Sequence, residues 1–261
     1  MMGIVEGPTL SETDRLGELL DQVSRLLERA PDDAQLLFNR AAIFAEWGRI
    51  REALAGYADA EFGGMRGAKI DLAIGQAHLA AGDASGAEIR LRNAASAEPT
   101  SADAAFALGT ALFAQHRWDE AASSFQRGCT SRPDEFRQWH MLGSCVLQKG
   151  DPVAADEHFR RAIACDGRQG TIWKHLALAL NRQGRSAEAR DAFLHAVRLE
   201  HQDENGDSFV DFARFLIDAG EPAEAIALLE SFLPQRPLVE GHYMYALALL
   251  TTGRLSQAWP N

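Results

Sequence analysis

A period of 34 residues runs through the chain and constrains its fold more than any single residue does. Gly48, Gly82, Gly150 and Gly184 fall on it, as do the small residues Ala41, Gly75, Gly109, Gly143 and Ala177. Ala53, Ala87, Ala121, Ala155 and Ala189 keep the same spacing, and Pro31, Pro99 and Pro133 close units in a common phase. A fixed period of this length signals a stack of like supersecondary units, each burying its apolar face on its neighbours, not one closed core. Such a chain is read by its surface, so binding is expected ahead of catalysis.

Each unit reads as two antiparallel helices. Between Phe136 and Gln169, Trp139, Leu142, Gly143 and Val146 recur at i, i+3, i+4 and i+7, one apolar face of a helix. Lys149, Gly150 and Asp151 break it, because glycine takes the left-handed conformation that ends a helix. Ala155, Phe159, Ala162 and Ile163 then mark the facing stripe of a second helix. Alanine or glycine where the helices cross allows close approach, and a large side chain there costs roughly 1–3 kcal/mol in overpacking.

These residues resemble the tetratricopeptide repeat, the TPR. The pattern Trp139, Leu142-Gly143, Val146, Gly150, Ala155, Phe159 and Ala162 is preceded in phase by Leu108-Gly109, Leu112, Trp118, Ala121, Phe125 and Pro133. It is followed by Trp173, Leu176-Ala177, Leu180, Gly184, Ala189, Phe193 and Ala196. The resemblance implies an all-α fold, a right-handed α-solenoid (superhelix) of stacked helix–turn–helix units. Residues 1–33 read as an N-terminal extension with a capping helix, and 34–261 as the array. Its repeats fall at 34–67, 68–101, 102–135, 136–169, 170–205 and 206–238, with a partial one at 239–261. Asp71 stands where a large residue is usual, which predicts looser packing of the second repeat's first helix. In the extension, Ser11 with Asp14 is a capping-box-like start. Leu16, Leu19, Leu20, Val23, Leu26 and Leu27 form the apolar face of that helix.

A net charge of -11 disfavours nucleic-acid backbones and anionic membranes as partners. No stretch approaches the roughly 20 apolar residues a membrane span needs, and the N-terminus lacks a secretory leader. The chain is expected to be cytoplasmic and of bacterial type. Cys129, Cys145 and Cys165, odd in number and without CxxC spacing, read as buried hydrophobes in a reducing compartment. No cofactor or metal is expected. His201, Asp203 and His242 superficially suggest a two-histidine, one-carboxylate set, but they sit on a flexible acidic turn and a separate helix. The turn 203–207 lacks the glycine and terminal glutamate of an EF-hand loop. HExxH, GxSxG and GxxxxGK[ST] do not occur in the sequence, so the chain is not expected to be an enzyme.

The TPR resemblance implies a concave inner face built by the first helix of each repeat, at its second, fifth, ninth, twelfth and thirteenth positions. Mapped here, the early repeats present Phe38, Leu72, Leu79, Phe106 and Phe113. Middle repeats present Arg137, His140, Leu147 and Gln148, and later ones Lys174, Asn181, Arg182, Arg214 and Tyr243. The fifth and ninth positions pair as Phe38/Ala42, Leu72/Gln76, Phe106/Thr110, His140/Ser144 and Lys174/Leu178. None is the Lys/Asn pair that a chaperone-tail clamp requires. Only Asn39 occupies the sixth position, against the asparagine ladder of the O-linked glycosyltransferase array.

The leading expectation is a non-catalytic scaffold or adaptor that holds a protein or peptide partner in the concave groove. Apolar anchors between Phe38 and Phe113 supply affinity, and Arg137, Lys174, Arg182 and Arg214 steer an acidic stretch. The alternative is the N-terminal recruiting module of a larger bacterial enzyme, a glycosyltransferase ahead of a sulfotransferase or hydroxylase. The last repeat breaks off at Asn261, which favours a longer protein over self-association through the C-terminal face.

Overall fold

The computed structural model describes residues 10–200, 207–234 and 238–254. Fourteen α-helices and no strand occur among the described residues, and the chain divides into two compact units, Met1–Pro133 and Asp134–Asn261. The N-terminal unit holds α1 (Leu10–Leu27), α2 (Ala34–Glu46), α3 (Ile50–Phe62), α4 (Ala68–Ala80), α5 (Ala84–Ala97), α6 (Ala102–Ala114) and α7 (Trp118–Ser131). The C-terminal unit holds α8 (Phe136–Gln148), α9 (Pro152–Cys165), α10 (Gly170–Arg182), α11 (Ser186–Glu200), α12 (Asp207–Asp218), α13 (Pro222–Phe232) and α14 (Val239–Thr251).

Packing is between neighbours in sequence. α2 pairs with α3, α4 with α5, and α6 with α7, while α3 lies on α4 and α5 on α6. In the C-terminal unit α8 pairs with α9, α10 with α11, and α12 with α13. The architecture is an all-α helical-repeat solenoid. Helix α1 packs on α2 as α3 does on α4, burying Leu16 and Leu27. It begins at Leu10, so Ser11 lies inside its first turn; that side chain is outside the described residues. The 201–206 turn and Trp259 also lie outside them.

The period has a physical cause at two places. Where the helices of a pair cross, a Cβ on Gly109 would stand 2.7 Å from Phe125, and one on Gly143 2.7 Å from Phe159. Both phenylalanines are fully buried, so the hydrogen of glycine is the side chain that fits. At the hairpin turn Gly82 and Gly150 have φ of 78° and 87°, the left-handed region where glycine is unstrained. The third repeat makes the same turn with His116 at φ 60°, closed by Arg117 N–H to Leu112 O at 3.0 Å.

Ion pairs add a second period, twice the first, that sequence reading missed. Arg117 at the start of α7 reaches back to Glu88 on α5 (2.7 Å) and forward to Glu120 (2.7 Å). Arg92 completes the ring, on Glu88 at 2.9 Å and Glu120 at 2.8 Å. Residues 68 further on repeat it: Arg185 bonds Asp156 (2.6 Å) and Glu188 (2.5 Å), and Arg160 bonds Asp156 (2.5 Å). Gln115 donates to Ala84 O, and Gln183 likewise to Pro152 O. Between α11 and α13 the polarity reverses, with Arg190 paired to Glu221 and Glu224.

Two expectations are corrected here. Asp71 does not loosen α4: Arg90 bridges it (3.2 Å) to Glu61 (2.6 and 2.9 Å), an ion pair in place of the large side chain. Cys129 and Cys145 are buried, but Cys165 ends α9 exposed.

Candidate functional site

In the N-terminal unit the positions of α4 and α6 expected to face inward carry Leu72, Leu79, Phe106 and Phe113, all half-buried. The second helices hold the rings. Phe106 meets Phe125 edge-on at 5.7 Å, and Phe113 meets Trp118 at 4.8 Å, within the range where edge-to-face pairs attract. Each ring is fixed on one side and keeps accessible area, so little rotamer entropy remains to be lost on contact. Phe38 differs. It is 7% exposed, lies 5.3 Å from the Tyr57 ring and carries the Lys69 ammonium 4.7 Å above it. It is a core residue and not a groove anchor. Leu147, buried in α8, is likewise removed from the inner face.

The C-terminal unit presents a polar face. His140 on α8 and His175 on α10 share a hydrogen bond, Nε2 to Nδ1 at 2.6 Å, with their rings stacked and Phe159 beside both. One ring donates and the other accepts, so the pair is satisfied only while at least one proton lies between them. Burial, then the Lys174 charge, pushes His140 down to about 4. Burial, then His140 and Lys174, holds His175 well below the usual histidine range. Two imidazoles alone do not make a metal centre, and among the described residues no group of three or more potential ligands is gathered.

The basic residues expected to steer an acidic partner are each engaged within the chain. Arg137 bonds Glu135 at 2.9 Å, and Arg182 donates to Leu147 O at 3.0 Å. Lys174 Nζ sits 3.8 Å from Asp207 and 4.0 Å from Asp211, while Arg214 lies 3.8 Å from Asp211. Burial pushes the Asp211 carboxyl up against the pull of Lys174 and Arg214. The net result is a mixed-charge surface, not a basic strip. Asn181 is exposed beside it, and Tyr243 on α14 is 64% exposed. Sequence reasoning missed His175 and Asp211, which occupy the sixth position of their repeats, His175 next to Lys174, which was named.

Neither Cys145 nor Cys165 is poised as a thiolate nucleophile: burial pushes Cys145 up to about 12, and burial with Asp134 and Glu135 raises Cys165. Among the described residues no helix is long and apolar enough to cross a membrane.

Helix hairpins stacked in register, with side chains displayed along their first helices, define a repeat scaffold. The tetratricopeptide-repeat family model matches residues 72–136, 114–170, 140–204 and 210–258, more than half of the chain, which therefore belongs to that family. Human tetratricopeptide repeat protein 7A is 28% identical over 110 residues, 42% of this chain but 13% of that protein. Among solved structures, Pseudomonas aeruginosa pilF superposes with a TM-score of 0.68 at 17% identity, covering 83% of this chain and 98% of that one. The APC/C hetero-tetramer Cut9–Hcn1 gives 0.67 at 16% identity, covering 93% of this chain and 48% of that one. At these identities the likeness is one of fold. Repeats of this family are generally protein-interaction scaffolds and generally non-catalytic.

Proposed function

We propose that the chain is a non-catalytic scaffold that binds an extended or helical segment of a partner protein along the inner helices. The observation that carries this reading is the half-buried quartet Leu72, Leu79, Phe106 and Phe113. These apolar side chains are pre-ordered by the helices behind them yet still accessible. Affinity comes from these few anchors and not from the number of contacts. Lys174, Asp211, Arg214, Asn181 and Tyr243 add hydrogen bonds and register. Because their charges are mutually compensated, a strongly acidic partner segment gains little from them.

The test is copurification from the source cells with the wild-type chain and with the Phe106→Ala/Phe113→Ala double variant. Circular dichroism supplies the folding control. The reading requires that specific partners are lost while a cooperative helical melt remains. Retention of the same partners at wild-type yield would remove the anchors from the account. The recruiting-module alternative is tested by an immunoblot of the source cells, where a band much above the size of this chain supports it.

A further inference from the structure

At the start of the N-terminal unit, α1, α2 and α3 leave a cleft of about 670 Å³ away from the inner-face quartet. Leu27, Leu37 and Phe62 give it apolar walls, and Phe62 is 96% exposed. Glu28, Asp32 and Asp59 supply three carboxylates against the single guanidinium of Arg40.

The second to fifth repeats narrow this place with their own side chains. The fourth, seventh, twenty-third and twenty-sixth positions of a repeat build the junction. In the second repeat Arg90 spans it, bonded to Glu61 and Asp71. In the third, Arg127 donates to the carbonyls of Ala95 and Pro99. In the fourth, Trp139 stacks on His158 at 6.0 Å beneath Arg161. In the fifth, Trp173 stacks on His195 at 4.6 Å and donates to Gly167 O, which leaves a pocket of only about 200 Å³. The first repeat has Leu37, Gly56 and Asp59 at those positions, which are too short to close it.

The seventh position is equally singular. Ile74, Leu108, Leu142 and Leu176 occupy it elsewhere, and Arg40 occupies it here. Its Nε is buried with no hydrogen-bond partner among the described residues, and its Nη2 stands 3.7 Å from Asp59, too far for a hydrogen bond. A buried donor left in that state favours any ligand that brings an acceptor. The three carboxylates repel an anionic acceptor, so a neutral backbone carbonyl fits, flanked by positive charge.

We propose that this cleft docks a basic, apolar-anchored segment of a partner protein. An aliphatic or aromatic side chain seats against Leu27, Leu37 and Phe62. A neighbouring carbonyl accepts from Arg40 Nε, and an adjoining Lys or Arg pairs with Glu28, Asp32 and Asp59. The site is separate from the inner face, so one chain holds two partner segments at once.

The experiment is selection of a random-peptide phage library on the full chain, followed by titration of the synthesised peptides. Two variants close the cleft with the chain's own solutions: Asp59→Arg imitates Arg127 and Arg161, and Arg40→Leu restores the aliphatic seventh position. Because Leu108, Leu142 and Leu176 fill that position elsewhere, Arg40→Leu keeps the fold, which a thermal melt verifies. The expected result is peptides pairing an apolar residue with Lys or Arg. Their binding falls at least tenfold in each folded variant and is unchanged in Phe106→Ala/Phe113→Ala. Recovery of no peptide sensitive to the two variants, or of acidic ones only, overturns the proposal. So does a class that binds only after residues 1–9 are removed, which would assign the cleft to the chain's own N-terminus.

Discussion

The fifth position of a first helix is Phe106 in the N-terminal unit and His140 in the C-terminal one, and the same backbone site does different work in each. Phe106 leans on Phe125 and keeps apolar area accessible. His140 leans on the equivalent Phe159 but spends its polarity on His175, beside Lys174 and the carboxylates that compensate it. A shared scaffold thus carries two surfaces of different character. On the proposed reading, apolar anchoring is concentrated where second helices supply aromatic backing. On the same reading, polar recognition would lie where neighbouring repeats contribute matched charges. Helix geometry sets the spacing of both surfaces, and side chains alone set their character.

The largest effect that would sharpen this comparison comes from the crossing glycines. Gly109→Val and Gly143→Val each force a phenylalanine ring to move, at about 2–3 kcal/mol. Hydrogen exchange should show the loss confined to the unit carrying the substitution. Equal loss in both would show one cooperative block and break the comparison.

Next come the ion-pair rings. Burial pushes the Glu88 carboxyl up, but hydrogen bonds from Gln115, Arg92 and Arg117 outweigh it and hold it at about 2. Its stabilisation is complete above the ordinary value of 4.5 and is lost as pH falls toward 2. Glu88→Gln should cost about 1–2 kcal/mol at neutral pH, discounted for its partly solvated partners, and should flatten the acid limb of the stability curve.

The histidine pair moves the acid response of the C-terminal unit to a higher window. Since the folded value of His140 is depressed from 6.5 to about 4, its contribution is full above 6.5 and declines as pH falls through that interval. Exchange protection near α8 and α10 should therefore drop between pH 6.5 and 4, while that around Glu88 holds until below 4.5. His140→Phe should narrow the difference, and changing His175 to Phe as well should abolish it, because burial depresses both rings. The smallest expected effect is at the hairpin turn. His116→Gly relieves a left-handed non-glycine residue and should raise stability by about 0.5–1 kcal/mol, less what is lost with the 5.1 Å contact to Trp118.

Most of the helical architecture was legible because a 34-residue period of small residues has one steric meaning. Gly109, Gly143 and the phenylalanines they face are local in sequence, and their spacing encodes their contact. The surfaces were less legible. Phe38 and Leu147 share positions with accessible residues, and only the neighbours decide that they are buried. Steering by Arg137, Lys174, Arg182 and Arg214 was inferred from charge sign, but each is engaged within the chain, by Glu135, by Asp207 and Asp211, by the Leu147 carbonyl and by Asp211. Pairing such as Arg117 with Glu88 follows the period doubled, a pattern invisible while every repeat is compared only with the next. Arg40 stood at an aliphatic position in plain view. It was unread because an apolar stripe with one charge still scores as an apolar stripe.

The most direct test of the central claim places a photo-crosslinking amino acid, one position at a time, at Phe113, Arg214 and the outward-facing Ile89, which is 68% exposed. Irradiation in the source cells should give discrete protein adducts from Phe113 most strongly, from Arg214 more weakly, and none from Ile89. Adducts from Ile89 with Phe113 silent would place the partner on the outer helices and contradict the account.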